Sequence, residues 1–317
     1  MYVARSRGAL LTRRVGKGSG HSANASAAAT APLQQDDVRL REDQEPQRYR
    51  VGPGMYPSIG TSSLTTLIRL ASGTFIVGYG ASFPPDDASS YSPLRAGGRR
   101  LDEYTSLQPY LKRPTSSLPT LYLYNGCPFC MLVLEAVSSL DVDVLIKPTP
   151  RGSPSFRNEA ENLGGKQQFP LLHDESTNKV MYESSDIIRY LAKTYAGGHI
   201  PWQLRIPGGS SPLAAAPGVL LRGGRGRQYQ QARSPEQPLR LWGYTGSPFV
   251  RTVLERLCEL ELPYVYITTA RGSPKRQSFF NALNHFQVPY LEDPNEGLAM
   301  YESSDILSFL DSTYRSA

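Results

Sequence analysis

Residues 124–135 read YNGCPFCMLVLE, and residues 244–255 repeat the pattern as YTGSPFVRTVLE. Further along, the heptapeptide MYESSDI occurs at residues 181–187 and again, letter for letter, at residues 300–306. An identity of this length at a nearly constant offset indicates two copies of one unit. Because two copies are too few for a solenoid, the sequence predicts two tandem domains.

Both units have the same order of predicted elements. In the first, an apolar strand at 121–124 leads into a helix that carries Pro128 in its first turn, where a missing N–H costs nothing. A second strand (VDVLI), a second helix (SPSFRNEAENLGG) and a hairpin (FPLLHD and NKVMYE) follow, and Ser184 is predicted to cap a last helix through Tyr195. This order predicts a four-stranded mixed sheet with three helices in each unit. The predicted fold class is therefore α/β, with two tandem thioredoxin-like domains.

The predicted division of the chain has five parts. They are a transit peptide and disordered leader at 1–59, a lead-in with a short helix at 60–118, the first thioredoxin-like domain at 119–196, a Gly/Pro/Arg-rich linker at 197–237, and the second thioredoxin-like domain at 238–317.

The formal charge of +6 is concentrated in two places. Residues 1–35 contain five basic residues and no acid, and residues 197–238 contain five arginines against one glutamate. The rest of the chain is net negative, so no nucleic-acid partner is expected. An acid-free leader rich in Ala, Ser and Arg is typical of an organelle transit peptide. It predicts a chloroplast protein, with the mitochondrion as the alternative and a disordered basic tail as the simpler interpretation.

The most apolar window, residues 63–83, is interrupted by Arg69 and three glycines. It falls short of the ~20 uncharged apolar residues that a membrane span needs, so no transmembrane segment is expected. Five apolar residues of the window share one helical face, which predicts a helix packed on a domain: Leu64, Leu67, Ile68, Ala71 and Phe75.

The two neighbouring cysteines stand where a strand turns into a helix. A helix N-terminus stabilises a thiolate, so Cys127 is the predicted nucleophile and Cys130 the predicted resolving thiol. A zinc site needs four ligands, and neither His173 nor His199 lies at a partner spacing, so no metal is expected. An iron–sulfur cluster bridging two chains stays open. Cys258 lies in an apolar helix face and is predicted to be a core residue.

A proline opens the third strand of each unit, in Phe169-Pro170 and Val288-Pro289. In this fold the position predicts a cis peptide bond beside the cysteines. The backbone of Phe169 would then be an unpaired strand edge that a peptide-like ligand can join.

Together, CPFC after the first strand, QFP at the proline and YESSDI at the last helix resemble the glutaredoxin and glutathione S-transferase branch of the thioredoxin superfamily. The order of basic leader, lead-in, unit, Gly/Arg linker and unit is similar to the plastid-targeted tandem glutathione S-transferase N-terminal-domain proteins of plants and algae. The resemblance implies glutathione as a co-substrate and a redox-active centre.

The resemblance also implies roles for individual residues. In the first unit, Cys127 faces the glutathione sulfur, while the remaining contacts come from the cis-proline turn, the last helix and one lysine: Phe169, Pro170, Glu183, Ser184 and Lys166. The second unit offers equivalents: Ser247, Val288, Pro289, Glu302 and Ser303. From the residues alone, Glu183 and Ser184 are equally well explained as a helix cap.

Several positions depart from the resembled families. Tyr124 stands where glutaredoxins carry a lysine, Ser247 and Val250 replace the cysteines, and His285 replaces Lys166. The second unit is therefore either a serine-type glutathione site or a degenerate structural copy. Neither unit is followed by the all-helical domain that holds the electrophile in glutathione S-transferases.

Three functions follow from these observations. The favoured one is a glutathione-dependent thiol–disulfide oxidoreductase, with thiol proteins as candidate partners. The alternatives are a glutathione S-transferase-like transferase or isomerase, and a non-catalytic plastid redox sensor or scaffold. An enzyme is favoured over a scaffold, and the oligomeric state is left open.

Overall fold

The computed structural model describes residues 39–40, 50–114, 117–206, 209 and 211–316. The predicted leader therefore falls largely outside the described residues. The elements before the first repeat are β1 (Arg39–Leu40), α1 (Tyr56–Ile68), β2 (Tyr79–Ser82), β3 (Arg95–Ala96), β4 (Arg99–Arg100) and β5 (Asp102–Thr105).

The first repeat consists of β6 (Thr120–Leu123), α2 (Pro128–Leu140), β7 (Val144–Pro148), α3 (Phe156–Gly164), β8 (Leu171–Asp174), β9 (Lys179–Met181) and α4 (Ser184–Tyr195). The linker contains α5 (Trp202–Arg205) and α6 (Pro212–Leu221). The second repeat consists of β10 (Leu239–Gly243), α7 (Pro248–Glu259), β11 (Tyr264–Thr268), α8 (Lys275–Leu283), β12 (Tyr290–Asp293), β13 (Leu298–Met300) and α9 (Ser303–Tyr314).

All four strands of each repeat lie in one sheet of nine strands, in the order β1-β13-β12-β10-β11-β7-β6-β8-β9. Within a repeat the first two strands are parallel, the third is antiparallel to the first, and the fourth is antiparallel to the third. The sequence predicted a four-stranded sheet for each repeat, but the two sets of strands form a single sheet. The reason is that β7 and β11 would otherwise each leave an unpaired strand edge, and here they satisfy one another.

The junction between the repeats is symmetric. Strands β7 and β11 are antiparallel, and Val265 pairs with Leu145, its own equivalent at the offset of 120. A pairing of equivalent positions is the mark of a two-fold interface. One apolar cluster contains buried residues of both repeats, so the core is shared.

The pseudo-two-fold extends into the lead-in and the linker. Arg69 at the end of α1 donates to Glu135 of α2 (Nη2 to Oε2, 2.8 Å), and Arg222 at the end of α6 donates to Glu255 of α7 (Nε to Oε1, 2.7 Å). All four side chains are buried. Helices α1 and α6 pack on each other over the repeats. The segments on either side of the first repeat are thus an equivalent pair.

The face by which α1 packs differs from the prediction. Ser58, Ser62 and Thr65 are buried, whereas Leu67 is 70 % exposed. The apolar periodicity identified the helix but assigned the wrong face, because close helix contacts here use small side chains: Thr65 lies against Gly218 of α6. Within the described part of the chain, no helix has the length and apolarity needed to cross a membrane.

Candidate functional site

The cysteine turn is built by the start of α2. Cys127 is the N-cap, with extended backbone, and Pro128 follows at the first helical position. The Cys127 Sγ accepts a hydrogen bond from the backbone N–H of Cys130 at 3.5 Å. All three cysteines are free thiols, and Cys127 is 4 % exposed while Cys130 is fully buried.

The two thiols of the turn have opposite tendencies to ionise. A side-chain hydrogen bond with Cys130 is the largest influence that lowers the pKa of Cys127 to about 7, and the N–H groups of Cys130 and Phe129 and the Tyr124 side chain act in the same direction, against burial. Burial and the same bond raise the pKa of Cys130 well above its usual value. The site can therefore hold one thiolate and one thiol near neutral pH. The Tyr124 side chain thus helps to stabilise the Cys127 thiolate.

The predicted cis bonds are present at Phe169-Pro170 and at Val288-Pro289. Beside each, a glutamine that precedes the turn donates to the glutamate that caps the last helix: Gln168 Nε2 to Glu183 Oε1 and Gln287 Nε2 to Glu302 Oε1, both 2.6 Å. Sequence reasoning did not single out these glutamines, although the QFP and QVP match contained the signal.

Glu183 and Glu302 both have φ of 64°, a left-handed conformation that is uncommon for residues other than glycine. Residues held this way concentrate at functional sites. Each precedes a buried serine, Ser184 or Ser303, at the first position of its helix. The pair is thus positioned identically in both repeats. The prediction that Ser184 is the cap is wrong, because Glu183 occupies the N-cap position. Glu183 is exposed, whereas Glu302 is buried.

An arginine that the sequence analysis missed lies beside each turn. Arg157 stacks its guanidinium over Phe169 at 4.8 Å and over Tyr124 at 5.7 Å, and its Nε donates to the Pro150 carbonyl. In the second repeat, Arg276 stacks over Tyr244 at 5.3 Å and over Phe286 at 4.7 Å, and its Nε donates to the carbonyls of Thr269 and Ala270. The one-residue deletion between the repeats precedes these positions, which hid their equivalence.

Lys166 lies on the exposed side of the first repeat. Its ammonium is 4.6 Å from the centre of the Tyr182 ring, and the Tyr182 hydroxyl donates to its carbonyl. Its counterpart His285 packs against Tyr301 in the same way, at 4.8 Å between ring centres.

In each repeat, the turn before the first helix, at Cys127 or at Ser247, is covered by a segment from outside that repeat. Residues 226–229, here called strap 1, bond to Arg151 on both sides: the Arg151 N–H donates to the Arg227 carbonyl and the Tyr229 N–H to the Arg151 carbonyl. A Cβ placed on Gly126 would lie 2.7 Å from the Arg227 Cβ. Strap 1 therefore lies directly against the Cys127 turn.

The second repeat is covered in the same manner by residues 73–76, here called strap 2. The Arg271 N–H donates to the Thr74 carbonyl, and the Ile76 N–H donates to the Arg271 carbonyl. Strap 2 lies in the lead-in and follows α1, whereas strap 1 lies in the linker and follows α6.

Cys258 is buried, as predicted for a core residue. Its Sγ donates to the carbonyl of Gly226 in strap 1 at 3.1 Å, and burial raises its pKa far above the usual range. It is therefore a protonated thiol at neutral pH.

The site residues of the second repeat line one cavity of about 480 Å³. All five predicted equivalents contribute to it: Ser247, Val288, Pro289, Glu302 and Ser303. Ser247 caps α7, with its Oγ accepting from the Val250 N–H at 3.4 Å. Over the described ranges, no cluster of three or more His, Cys, Asp or Glu is placed to hold a metal ion.

Two segments of the chain, residues 121–199 and 241–317, match the family described as glutathione S-transferase, N-terminal domain. The two matches support tandem glutathione S-transferase N-terminal domains. The boundaries of both matches agree with the two repeats of the structure. Comparisons with curated proteins and with solved structures give no significant match. The glutathione S-transferase N-terminal domain is thioredoxin-like and suggests a function related to glutathione.

Proposed function

We propose that the chain is a glutathione-dependent thiol–disulfide oxidoreductase whose redox centre is the Cys127–Cys130 pair. One observation supports this most directly: the pKa of Cys127 is lowered to about 7 while that of Cys130 is raised by burial. A nucleophilic thiolate beside a thiol that keeps its proton is what a two-step exchange requires.

In the proposed reaction, the Cys127 thiolate attacks a glutathionylated protein at the glutathione sulfur. The protein thiolate leaves and takes a proton, and a Cys127–glutathione disulfide forms. A second glutathione thiolate then attacks the glutathione sulfur of this disulfide, which releases oxidised glutathione and restores the Cys127 thiolate. Alternatively, Cys130 loses its proton and attacks Cys127, which expels glutathione and leaves an intramolecular disulfide for two glutathione molecules to reduce.

In this proposal the tripeptide is held by the cis-proline turn at Phe169 and Pro170, by Glu183 and Ser184 at the start of α4, and by Lys166. Arg157 adds a cation stacked on Phe169, 4.8 Å from its ring centre. Hydrogen bonds between charged groups, such as those that Glu183 and Lys166 would make to the tripeptide, are stronger than bonds between neutral groups. Because Cys127 is 4 % exposed, the proposed attack also requires its sulfur to become accessible.

The test is turnover of a peptide–glutathione mixed disulfide by the full chain with excess glutathione. Cys127→Ser should abolish turnover, because a serine hydroxyl cannot form the mixed disulfide, whereas Cys258→Ser should retain it. Turnover by Cys127→Ser at the wild-type rate would contradict the proposal. Stable protein complexes that survive the loss of both Cys127 and Cys130 would favour the sensor or scaffold alternative.

The transferase or isomerase alternative is supported by a different observation, the apolar wall of the cavity at Ser247. Conjugation of a standard electrophile above the uncatalysed rate would favour it. The composition of the leader supports a proposed chloroplast destination, which a fluorescent fusion to residues 1–59 would test.

A further inference from the structure

The cavity of the second repeat has a wall that the first repeat lacks. Between strap 2 and β6 the lead-in runs over residues 77–119, whereas only residues 230–238 connect strap 1 to β10. Part of this extra chain, with Tyr91, Pro93, Leu94 and Leu101, lines the cavity opposite the start of α7.

The wall is fixed to the second repeat by specific bonds. The Tyr91 N–H donates to Gln277 Oε1 of α8 at 2.7 Å, and Gln277 Nε2 donates back to the Ser89 carbonyl. The buried Ser92 hydroxyl bonds to the carbonyls of Leu94 and Leu101, which closes the loop between them. The wall is therefore part of the folded structure of this site.

A buried cation faces this cavity. Arg276 is 5 % exposed, and its guanidinium is held by stacking on Phe286 and by a bond from Nη1 to the Tyr91 hydroxyl. Among the described residues its Nη2 has no hydrogen-bond partner. A buried donor without a partner is costly, and an anion in the cavity would satisfy it.

The surrounding charges favour an anion as well. Arg50 and Arg271 also line the cavity, and the nearby carboxylates are Glu302 and Glu103. Glu103 pairs with Arg271 at 2.6 Å and lies 3.7 Å from Nη1 of Arg276, whereas the unpartnered atom of that guanidinium is Nη2. Among the described residues around the cavity, three arginines against two carboxylates leave a positive excess. The N-termini of α7 and α9 open at the same cavity, and helix N-termini attract anions.

Apolar side chains supply the other half of the lining. Leu94 and Leu101 come from the lead-in, and Phe249, Phe286 and Val288 come from the second repeat. An apolar cavity with a few convergent polar groups is the usual form of a small-molecule site.

We propose that this cavity binds an amphipathic organic anion, with a carboxylate directed to Arg276 and an apolar group held between the lead-in wall and Phe249. The site uses Ser247 in place of a cysteine and so binds its ligand without forming a disulfide. The proposal deepens the proposed function, since it rests on recognition of glutathione-like anions by these domains, but it does not need the thiols of the first repeat.

The experiment compares S-hexylglutathione with S-methylglutathione by calorimetric titration of the full chain. Neither probe has a free thiol, so neither reacts at Cys127, and the two differ only in apolar chain length. Burial of the hexyl chain should make its binding at least tenfold tighter. Equal affinities would overturn the proposal.

Variants at two exposed residues test where S-hexylglutathione binds. Leu94 is 56 % exposed, so Leu94→Asp adds a carboxylate to the wall with little risk to folding, and it should weaken S-hexylglutathione at least tenfold. Leu213→Asp, at a residue that is 83 % exposed in α6, is the matched control and should bind like wild type. Wild-type affinity in Leu94→Asp would show that the ligand lies elsewhere.

The two proposals fail in different ways. If Cys127→Ser loses disulfide exchange and keeps tight S-hexylglutathione binding, both stand. If wild type shows no exchange and still binds the probe, the proposed function fails and the cavity proposal stands. If Cys127→Ser also loses the tight binding, the probe occupies the first repeat and the cavity proposal is wrong.

Discussion

The reactivity of Cys127 should depend on the thiol of Cys130 more than on any other group. A free cysteine has a pKa of about 8.5, so a pKa of about 7 corresponds to about 2 kcal/mol in favour of the thiolate. The largest influence that lowers this pKa is the hydrogen bond with the Cys130 side chain. Cys130→Ala removes that donor and leaves the helix N-terminus intact, so the pKa of Cys127 should rise towards the free value.

The size of the effect follows from the thiolate fraction. At pH 6, a thiol with a pKa of about 7 is roughly a tenth ionised, against well under a hundredth at a pKa of about 8.5. Even if Cys130→Ala recovers only part of this difference, the thiolate fraction at pH 6 should fall about tenfold. Cys130→Ser keeps an O–H donor and should stay close to wild type.

The assay is alkylation by iodoacetamide, followed by mass measurement of the peptide that contains Cys127. The rate at pH 6 is divided by the rate at pH 9 within each variant, so that the low accessibility of the sulfur cancels. Cys258→Ser is the control, because Cys258 is bonded to strap 1 and not to Cys127, and a serine hydroxyl keeps a donor to the Gly226 carbonyl. The same ratio in Cys130→Ala and wild type would refute the role of the Cys130 thiol, and a wild-type midpoint above pH 8.5 would refute the thiolate itself.

Two further predictions concern stability. Burial raises the pKa of Glu292 from 4.5 to about 7, so this carboxyl stabilises the fold in acid and loses that effect as the pH rises through about 7. In urea titrations, the unfolding free energy of wild type relative to Glu292→Gln should fall by up to about 3 kcal/mol between pH 4.5 and pH 7. Arg69→Met removes the ion-pair partner of the buried Glu135 and should lower the unfolding free energy by about 3–5 kcal/mol. The double variant Arg69→Met with Glu135→Met should restore most of this stability. Equal losses in the single and double variants would show that the ion pair is not the cause.

The elements within each repeat could be predicted from the sequence because their signals are local. Pro128 after a strand marks the start of α2, and the identical MYESSDI marks α4 and α9. The cis bonds were predicted from the position of one proline in a known order of elements. Each of these inferences needs only a few neighbouring residues, and each agrees with the structure.

What the sequence did not reveal depends on contacts between distant segments. The pairing of β7 with β11 follows from symmetry, and no local pattern distinguishes an internal strand edge from an outer one. The equivalence of α1 and α6 is carried mainly by Arg69 and Arg222, too few identities to detect by alignment. The cavity wall at Leu94 and Leu101 belongs to a segment that composition marks as irregular, although its backbone is fixed by bonds to α8.

One helix connects the two candidate sites. Helix α7 begins at the cavity, where Ser247 caps it, and ends at strap 1, where the Cys258 Sγ donates to the Gly226 carbonyl and Glu259 accepts from the Gly226 N–H. Strap 1 in turn lies against the Cys127 turn. Helix α7 is therefore a direct physical connection between the two sites. Variants at positions outside this helix, such as Leu94 and Cys127, separate binding in the second repeat from thiol chemistry in the first most directly.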